Sequence, residues 1–467
     1  MSTKKEHNAF HHALKVVDEL CIGCTHCMKV CPTEAIRVRD GKAVIIGERC
    51  VDCGNCCKVC PVSAIVIEQD DFSEIFAYPV RIALVPSVLI GQFPSYIRTA
   101  EIFAGLRLLG FTHIFEIEKV VGIVQQGYDR FIDGYSGGKP VISSFCPAVL
   151  RLIQVRFPSL VGNLLRVKPP SDVAAIYCRR RMEEQGHTPG QIGIFYITPC
   201  AAKVASIKSP VGEEHSPVNG VINMEYLYNR ILQLIMNGEL KEAQQESDHN
   251  EISEVEPGPS IPGTGKPTPE GVLWSLTRGE SARQKGRALA VDGMANVNDF
   301  LERLEESGEN YIDFLELRAC DESCAGGVLI SGNRFLTVER LNRRAAEIRQ
   351  QGIVEGIDGS YDDQIYGLEV IHPRSVMALD ENRQAAIRKM NQVADLLKVL
   401  PGIDCAACGS PTCRSLAEDI AQGKSGLIHC IFLQELFIRN GKLTAAETDS
   451  INEAIWGKER DYRSQNK

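Results

Sequence analysis

The sequence predicts an α/β domain built on parallel sheets, with a small α+β cysteine-rich domain before it and a small α-helical cysteine-rich module after it. Short apolar runs alternate with helical patterns from about residue 79 to 350, which is the order that a parallel sheet requires. Two tight cysteine clusters precede this region, and a third follows it. The predicted boundaries are 1–76, 77–380 and 381–440, with a charged tail over 441–467.

The composition restricts the classes of partner. The 467 residues carry a formal charge of -9, so nothing favours nucleic acid or an anionic membrane. The N-terminus lacks a secretory signal, and Arg81 and two prolines interrupt the most apolar stretch, 75–93. We therefore expect a cytoplasmic protein in a reducing, anaerobic setting. There, 18 clustered cysteines indicate metal or redox chemistry and not disulfides.

The first two cysteine clusters both fit the spacing C-x2-C-x2-C-x3-C-P of bacterial two-cluster ferredoxins. Three closely spaced thiolates hold one 4Fe-4S cubane, and the fourth reaches the neighbouring cubane. We therefore expect one cluster on Cys21, Cys24, Cys27 and Cys60, and a second on Cys50, Cys53, Cys56 and Cys31. A zinc site is the alternative, although zinc needs only four such ligands. Cys57 lies outside the pattern and is expected to be a packed spare thiol.

The central region contains apolar runs that we expect to be buried strands, at 81–88, 113–117, 139–145, 191–198 and 311–317. Helical patterns lie between them, as at 97–109 and 171–185. The polar stretch 242–271 is rich in Glu, Pro and Gly, which predicts a mobile surface insertion.

Four further cysteines follow these strands. Cys146, Cys200 and Cys320 come just past the carboxyl ends of three predicted strands, where open α/β sheets build their sites, and Cys324 follows four residues later. Pro147 suits the first turn of a helix, which would place Cys146 at its cap, where the helix dipole favours a thiolate. By themselves, four thiolates specify only a cubane.

The loops around these cysteines resemble three signatures of the iron-only (FeFe) hydrogenases. The family carries TSCCPxW, MPCxxK and ExxxC-x3-C followed by two glycines. This chain has SSFCPAV at Ser143–Val149, TPCAAK at Thr198–Lys203 and ELRACDESCAGG at Glu316–Gly327. The order of the loops, the preceding ferredoxin-like domain and the pair Pro86-Ser87 after the first strand agree with the family. The resemblance covers about residues 79 to 345.

The resemblance implies a set of ligands for a third cubane: Cys146, Cys200, Cys320 and Cys324. The last of them would bridge to a diiron subsite carrying CO and cyanide, together an H-cluster. Lys203 would donate to a cyanide or to the bridging dithiolate, and Pro86 and Ser87 would line the other cyanide. The implied reaction is H2 oxidation or proton reduction, with diiron maturation enzymes and a redox carrier such as ferredoxin, or a signalling protein, as partners. The alternative is a cubane-only electron-transfer protein without a diiron site.

One departure from the family concerns turnover. Catalytic members have a proton-shuttling cysteine before the first ligand, whereas this chain has Phe145, which cannot ionise. Val149 and Thr198 replace the motif's tryptophan and methionine. Sensory-type members replace the same cysteine, and some carry an additional C-terminal cluster. We therefore expect slow, H2-sensing chemistry.

The last cysteine group follows a helix expected over 382–399 and has the spacing C-x2-C-x4-C-x16-C. It resembles a single-cubane module of other redox and sensory proteins, with zinc as the alternative. The implied ligands of one C-terminal 4Fe-4S cluster are Cys405, Cys408, Cys413 and Cys430. Cys178 lies in a helical pattern and is expected to be a core residue.

Overall fold

A computed structural model describes residues 10–240, 261, 265–307, 311–352, 357, 359–374 and 382–457. The chain divides into two compact units. The first unit comprises Met1–Ile67, Gln154–Pro158 and Pro373–Lys467. The second unit comprises Glu68–Ile153 and Ser159–His372. The boundaries expected from the sequence stay a prediction, but the two cysteine-rich ends of the chain belong to one compact unit.

The N-terminal part of the first unit contains two antiparallel strand pairs. They are β1 (Leu14–Val16) with β4 (Ile65–Ile67), and β2 (Ile36–Arg39) with β3 (Lys42–Ile45). Each cysteine motif contains one short helix, α1 (His26–Lys29) or α2 (Asn55–Lys58). The residues before these helices, Thr25 and Gly54, both have a left-handed backbone, with φ of 73° and 79°. The repeated motif therefore folds into repeated local structure.

Two parallel sheets form the frame of the second unit. Its strands are β5 (Val80–Val85), β6 (His113–Glu116), β7 (Val141–Ile142), β8 (Ile192–Thr198), β9 (Gly220–Asn223), β10 (Ala288–Asp292) and β11 (Phe314–Arg318). One sheet has the order β6-β5-β8-β9 and the other β10-β11-β7, and every pairing in them is parallel. Each apolar run singled out above overlaps a strand, so the predicted fold class is confirmed. The sequence did not predict β9 and β10.

Helices surround these sheets: α3 (Ser87–Gln92), α4 (Thr99–Leu108), α5 (Val121–Gly134), α6 (Pro147–Arg156), α7 (Pro170–Glu184), α8 (Ala201–Lys208), α9 (Met224–Met236), α10 (Pro269–Leu273), α11 (Met294–Ser307), α12 (Arg334–Gln350) and α13 (Asp363–Tyr366). Helix α4 ends just before Gly110, whose φ of 114° suits glycine. The insertion expected over 242–271 lies largely outside the described residues, and its last three residues begin α10.

The strands of the first sheet are buried on both faces, as parallel strands covered by helices usually are. Every residue of β8 is buried, and Ile82, Ala83 and Leu84 of β5 are fully inaccessible. The loops that leave β5, β6, β7, β8 and β11 at their carboxyl ends carry the candidate residues. The two sheets thus fix where those loops begin.

The C-terminal part of the first unit is helical: α14 (Arg383–Val399), α15 (Cys413–Ala421), α16 (Ile431–Arg439) and α17 (Ala445–Trp456). Helix α14 matches the expected helix, and the side chain of Asn382 caps its first amides. This part of the unit packs on the β2–β3 hairpin. The amide of Val38 donates to the carbonyl of Gly409, in the loop before α15, and that of Asp40 to the carbonyl of Ala454 in α17, both at 2.9 Å. Within the described ranges, no helix combines the length and the apolar character that crossing a membrane requires.

Candidate functional site

The structure brings together the four cysteines that the motif spacing assigned to one N-terminal cluster. Burial and the neighbouring charges of Cys24, Cys21 and Cys60 raise the pKa of the Cys27 thiol to about 11. The amides of Ala43 and Ala64 donate to the sulfurs of Cys21 and Cys60 at 3.3 and 3.2 Å. Thiolates this close repel one another unless a cation lies between them, so the group suits a metal cluster.

The second N-terminal group is assembled in the same way. Burial, with the charge of Cys31 added, raises the pKa of Cys53 to about 12. Burial also raises the pKa of Cys50 and Cys56, and Cys31 lies close enough to both to add to the shift. The amide of Ala35 donates to Cys31 at 3.2 Å, which repeats the contact of Ala64 with Cys60. The structure therefore places each fourth cysteine with the other motif's three.

Two cysteines take no part in these groups. The thiol of Cys57 donates to the carbonyl of Ile65 at 3.1 Å, so it packs against β4. Cys178 is fully buried in the core beside α7 residues such as Ala174 and Met182. Both positions suit the structural roles expected of them.

The C-terminal cysteines gather around the start of α15. Burial, followed by the charges of Cys405 and Cys430, raises the pKa of Cys408. Cys413 is the first residue of α15, and its amide donates to Asp404 at 2.6 Å. Cys405 is the exposed member of the set, whereas Cys408 and Cys430 are buried. The site is thus open to solvent on one side.

Buried ion pairs attach this C-terminal module to the β2–β3 hairpin and to the helical turn that follows it. Arg37 donates from Nε and Nη2 to the two oxygens of Asp419 at 2.7 and 3.1 Å, which is a bidentate contact. Arg49 donates to Glu418 at 2.7 Å. All four side chains are less than a tenth exposed, so each charge depends on its partner.

In the second unit, three thiols from three different loops share one location. Burial, with the charges of Cys324 and Cys146 added, raises the pKa of Cys200 to about 12, although the charge of Lys203 opposes the shift. Burial raises the pKa of Cys146, whose sulfur accepts the amides of Val149 and Ala319. Cys146 precedes α6, as Pro147 predicted. Such thiols ionise readily only beside a metal.

The fourth cysteine of this group, Cys320, comes two residues after β11 and begins the loop that ends at Cys324. Its carbonyl accepts the amide of Ser323 at 3.0 Å, which closes the turn. Gly326 and Gly327 complete the loop, and a Cβ on Gly327 would lie 2.3 Å from the carbonyl oxygen of Pro199. The glycine pair therefore lets this loop approach the loop that carries Cys200.

A cavity lies beside these thiols and is called the small cavity below. Its wall contains residues from the loops after β5, β6, β7, β8 and β11, among them Pro86, Glu118, Phe145, Lys203 and Cys324. Burial alone would lower the pKa of Lys203, but Tyr196 and the thiols of Cys324 and Cys200 raise it overall. The ammonium group therefore stays charged inside the protein.

Several polar atoms around the small cavity have no hydrogen-bond partner within the described part of the chain. In the wall they are the hydroxyl of Ser275, the indole nitrogen of Trp274 and one carboxylate oxygen of Glu118; the hydroxyl of Ser87 belongs to the residue between the wall residues Pro86 and Val88, and all four atoms are buried. Buried donors without partners are rare, and several at one place indicate a polar ligand. Three donors and one ammonium group suit an anionic group that can accept hydrogen bonds.

Phe145 separates the small cavity from a larger one. Its ring lies 4.6 Å from the Lys203 nitrogen and 3.9 Å from Cζ of Arg318. Lys203 donates to the hydroxyl of Tyr196 at 2.9 Å. Phe145, Lys203 and Tyr196 line both cavities, so these three side chains form the dividing wall.

The larger space, called the large cavity below, is lined by a second group of acidic residues. Burial, with the charge of Glu213 added, raises the pKa of Asp172 to about 7. Glu213 forms an ion pair with Lys168, and both side chains are about a tenth exposed. The large cavity therefore contains a buried carboxyl group, Asp172, whose pKa lies near neutrality.

A buried polar network holds the loop of Phe145. Arg318 forms an ion pair with Glu280 at 2.7 Å, and Glu280 accepts the hydroxyls of Tyr128 and Ser143 at 2.6 and 2.8 Å. The amide of Phe145 donates to the same Ser143 hydroxyl at 3.2 Å. Burial raises the pKa of Glu280, and the charge of Arg318 opposes this.

Sequence reasoning missed several of these residues. Glu118 directly follows a strand of the predicted sheet, so the carboxyl-end rule could have found it. Arg318 and Glu316 lie inside the third signature and carried a similar signal. Asp172 and Glu213 lie far apart in the sequence, and no sequence pattern indicated that they would share a site.

Three family models match the chain. The one described as "Iron only hydrogenase large subunit, C-terminal domain" matches residues 80–328, which is more than half of the 467 residues. A "4Fe-4S dicluster domain" matches residues 13–67, and a "Putative Fe-S cluster" matches residues 400–432. The three matches cover the three cysteine-bearing regions in turn.

Matches to individual proteins cover less or are more remote. Over 38 residues the chain is 45% identical to one component of the ion-translocating oxidoreductase complex of Rhodobacter capsulatus, and it spans about a fifth of that relative's length. A solved [FeFe]-hydrogenase, studied for oxygen damage to its H cluster, is 16% identical with a TM-score of 0.45, covering 65% of this chain and 98% of that one. A variant of [FeFe]-hydrogenase HydA1 from Chlamydomonas reinhardtii is 15% identical with a TM-score of 0.42, covering 64% and 95%.

Proposed function

This chain belongs to the family of iron-only hydrogenase large subunits, and from that premise we propose that it reacts with H2 at an H-cluster-type site and relays electrons through 4Fe-4S clusters. The reaction is H2 oxidation or proton reduction, and it is slow, so the protein reports H2 instead of consuming it in bulk. The small cavity carries the proposal, because unpartnered donors and a buried ammonium group meet the thiol of Cys324 there.

The proposed ligands fall into four sets. Two cubanes of the ferredoxin-like domain use Cys21, Cys24, Cys27 and Cys60, and Cys31, Cys50, Cys53 and Cys56. The third cubane uses Cys146, Cys200, Cys320 and Cys324, and the C-terminal one uses Cys405, Cys408, Cys413 and Cys430. The raised thiol pKa values of Cys27, Cys53 and Cys200 support these sets, because iron replaces the protons that the isolated thiols keep.

The small cavity fits a diiron group bearing CO and cyanide. Such a group supplies the binding and splitting of H2, which no side chain can perform. Lys203 is the proposed donor to one anionic ligand, because its charge is buried and faces the cavity. Ser87 is the proposed donor to another, since its buried hydroxyl has no partner among the described residues. Pro86, the residue before Ser87, lines the small cavity.

The residues of the chain also limit the reaction. Phe145 occupies the position of the proton-shuttling thiol, and its ring fills the wall between the two cavities. An apolar ring excludes water there and cannot exchange protons. The proposed H2-sensing role depends on this replacement of a cysteine by Phe145.

The proposed electron route indicates which partners the protein would bind. A redox carrier such as ferredoxin, or a signalling protein, exchanges electrons with the clusters of the first unit. The exposed Cys405 supports the C-terminal cluster as one place for this exchange, because a partner's redox group must approach a cluster closely to exchange electrons with it. Maturation enzymes deliver the diiron group.

Infrared spectroscopy of the anaerobic protein, reconstituted with iron, sulfide and a synthetic diiron precursor, tests the proposal. Sharp CO and cyanide bands are expected in the wild type and in a Cys178→Ser variant, which alters a core thiol outside the ligand sets. A Cys324→Ser variant should lose them. Bands that survive Cys324→Ser unchanged would contradict the assignment of that ligand.

The second candidate function is that of an electron carrier with cubanes alone. Phe145 favours it, since the residue removes the proton route that turnover needs. Under this alternative the wild type shows no CO or cyanide bands, while iron analysis finds all four cubanes filled.

A further inference from the structure

Arg39 is the last residue of β2 and contacts the loop that carries the C-terminal cysteines. Its Nη1 donates to the carbonyl of Gly409, the residue after Cys408, at 2.9 Å. Gly409 has a φ of 72°, and a Cβ there would lie 2.8 Å from Nη1 of Arg39 and 2.4 Å from the carbonyl oxygen of Val38. Glycine therefore lets the loop approach the guanidinium group this closely. The charge of Arg39 is held beside the C-terminal cysteine group.

Two guanidinium groups at this place share one carboxylate. Asp419 accepts hydrogen bonds from Arg37 at 2.7 and 3.1 Å and from Nη2 of Arg39 at 3.3 Å. Arg37 and Asp419 are buried, and the Arg39 side chain is 30% exposed. Burial lowers the pKa of Arg39, whereas the charges of Asp419 and Cys408 raise it and that of Arg37 lowers it. One positive charge thus remains without a carboxylate of its own, which suits an anionic cluster on the neighbouring thiols.

The ferredoxin-like group that contains Cys50 has a carboxylate beside it instead. The side chain of Asp52 is fully buried, accepts the amide of Ala13 at 3.0 Å and contacts Nδ1 of His12 at 2.9 Å. The amide of Asp52 donates to the sulfur of Cys50 at 3.4 Å. After burial, the charge of Asp52 is the largest cause that raises the pKa of Cys50. A negative charge beside a cluster opposes the addition of an electron to it.

Two contacts connect the surroundings of these two cysteine groups. The hydroxyl of Thr412 donates to Glu34 at 3.3 Å, and Arg49 donates to Glu418 at 2.7 Å. Thr412 directly precedes a proposed ligand of the C-terminal group, and Arg49 directly precedes one of the ferredoxin-like group. The two groups are therefore neighbours within the first unit.

We propose that Arg39 raises the reduction potential of the C-terminal cubane above that of the neighbouring ferredoxin-like cubane, so that electrons collect at the C-terminal cubane. This inference rests on the proposed function, which supplies the electrons. In the step, one electron leaves the ferredoxin-like cubane, which is oxidised, and enters the C-terminal cubane, which is reduced, and no proton moves. Arg39 offsets the added negative charge, whereas Asp52 disfavours an electron on the donor. A partner then withdraws electrons at the C-terminal cubane, whose proposed ligand Cys405 is exposed.

A redox titration of the iron-reconstituted protein, followed by electron paramagnetic resonance, tests the proposal without the diiron group. Dithionite supplies the electrons. The signals missing from Cys408→Ala and from Cys53→Ala identify the C-terminal and the neighbouring ferredoxin-like cubane. In the wild type, the C-terminal cubane should be reduced first. Arg39→Gln should lower its reduction potential by about 59 mV, which is roughly a tenfold change in the equilibrium constant for one electron.

Two further variants separate the charge of Arg39 from its structural contacts. Arg39→Lys keeps the charge and should keep most of the wild-type potential. Arg439→Gln, which breaks an exposed ion pair of the same module, should leave the potential unchanged. The proposal would be overturned, with the proposed function intact, by an unchanged potential in Arg39→Gln, by an equal shift in Arg39→Lys, or by a wild type whose ferredoxin-like cubane is reduced first. A wild type without iron at the C-terminal cysteines would overturn both the proposal and that ligand set.

Discussion

The guanidinium group of Arg318 lies over the ring of Phe145, with 3.9 Å between Cζ and the ring centroid. Lys203 approaches the same ring at 4.6 Å. Cations near an aromatic face are attracted to it, more strongly where water is excluded. Phe145, which we propose takes the place of a proton-shuttling cysteine, is therefore held in place by two buried charges and does not merely fill a space.

Restoring a thiol at this position should accelerate the reaction. We expect Phe145→Cys to raise H2 turnover about tenfold or more, because general acid–base groups usually contribute at least that much. The measurement is the rate of H2 oxidation by protein whose infrared bands prove diiron loading. Phe145→Ala is the control, since it opens the same space without an ionisable group. An unchanged rate in loaded Phe145→Cys would contradict the role given to Phe145.

Removing the charge of Arg318 should destabilise the second unit. Arg318→Met leaves Glu280 and Glu316 buried without their cation, and breaking a buried ion pair costs about 3 kcal/mol. Chemical unfolding measures the loss. Arg349→Met, which breaks the exposed pair with Glu270, should change stability by less than about 1 kcal/mol. An equal loss of unfolding free energy in the two variants would contradict the stabilising role given to Arg318.

The C-terminal module should loosen when its ion pair is broken. Asp419→Asn removes the bidentate partner of Arg37 and leaves that guanidinium buried, at a cost of about 3 kcal/mol. Hydrogen exchange of amides over 405–430 should become about a hundredfold faster, as local opening grows easier. Lys398→Met, which breaks an exposed pair with Asp395, is the control. Exchange at the wild-type rate in Asp419→Asn would argue against this attachment.

Asp172 should make stability fall as pH rises. Its folded pKa is about 7 against an ordinary value of 3.8, so between these values the folded protein keeps a proton that the unfolded chain has lost. The contribution of Asp172 is therefore greatest below 3.8 and is lost as pH rises through 7. Unfolding measured near pH 5 and near pH 8 should show this decline in the wild type and a weaker one in Asp172→Asn. A variant with an undiminished decline would show that another group is responsible.

Much of the fold could be predicted from local sequence patterns. The parallel sheets followed from apolar runs such as 191–198, because a strand buried on both faces must be continuously apolar. The family resemblance is confirmed by the match over 80–328. Strand β10 was missed because its residues are partly exposed and its apolar pattern is weak.

The contact between the two cysteine-rich ends could not be predicted in this way. Arg37 and Asp419 are 382 positions apart, and neither residue type implies a particular partner at that range. Each segment alone has the composition of an independent module. The contact between the two segments depends on tertiary packing, which cysteine spacing and hydrophobic periodicity do not reveal.

The candidate site was partly predictable. Cysteine spacing grouped Cys60 with the first motif, and the structure brings these thiols together. The rule that parallel strands end at one edge placed Cys146, Cys200 and Cys320 near one another. The side chains that line the cavities, such as Tyr196 and Asp172, lie on elements whose packing against one another only the structure shows. The metal ligands and the roles of Pro86, Ser87 and Lys203 stay proposals.

The central claim is that H2 reacts at a diiron group in the small cavity. Its most direct test is infrared spectroscopy of the reconstituted wild type, first under argon and then under hydrogen. The account predicts sharp CO and cyanide bands that shift when hydrogen is admitted. Spectra without such bands, from protein whose iron content shows the cubanes to be filled, would contradict it and would leave a cubane-only electron carrier.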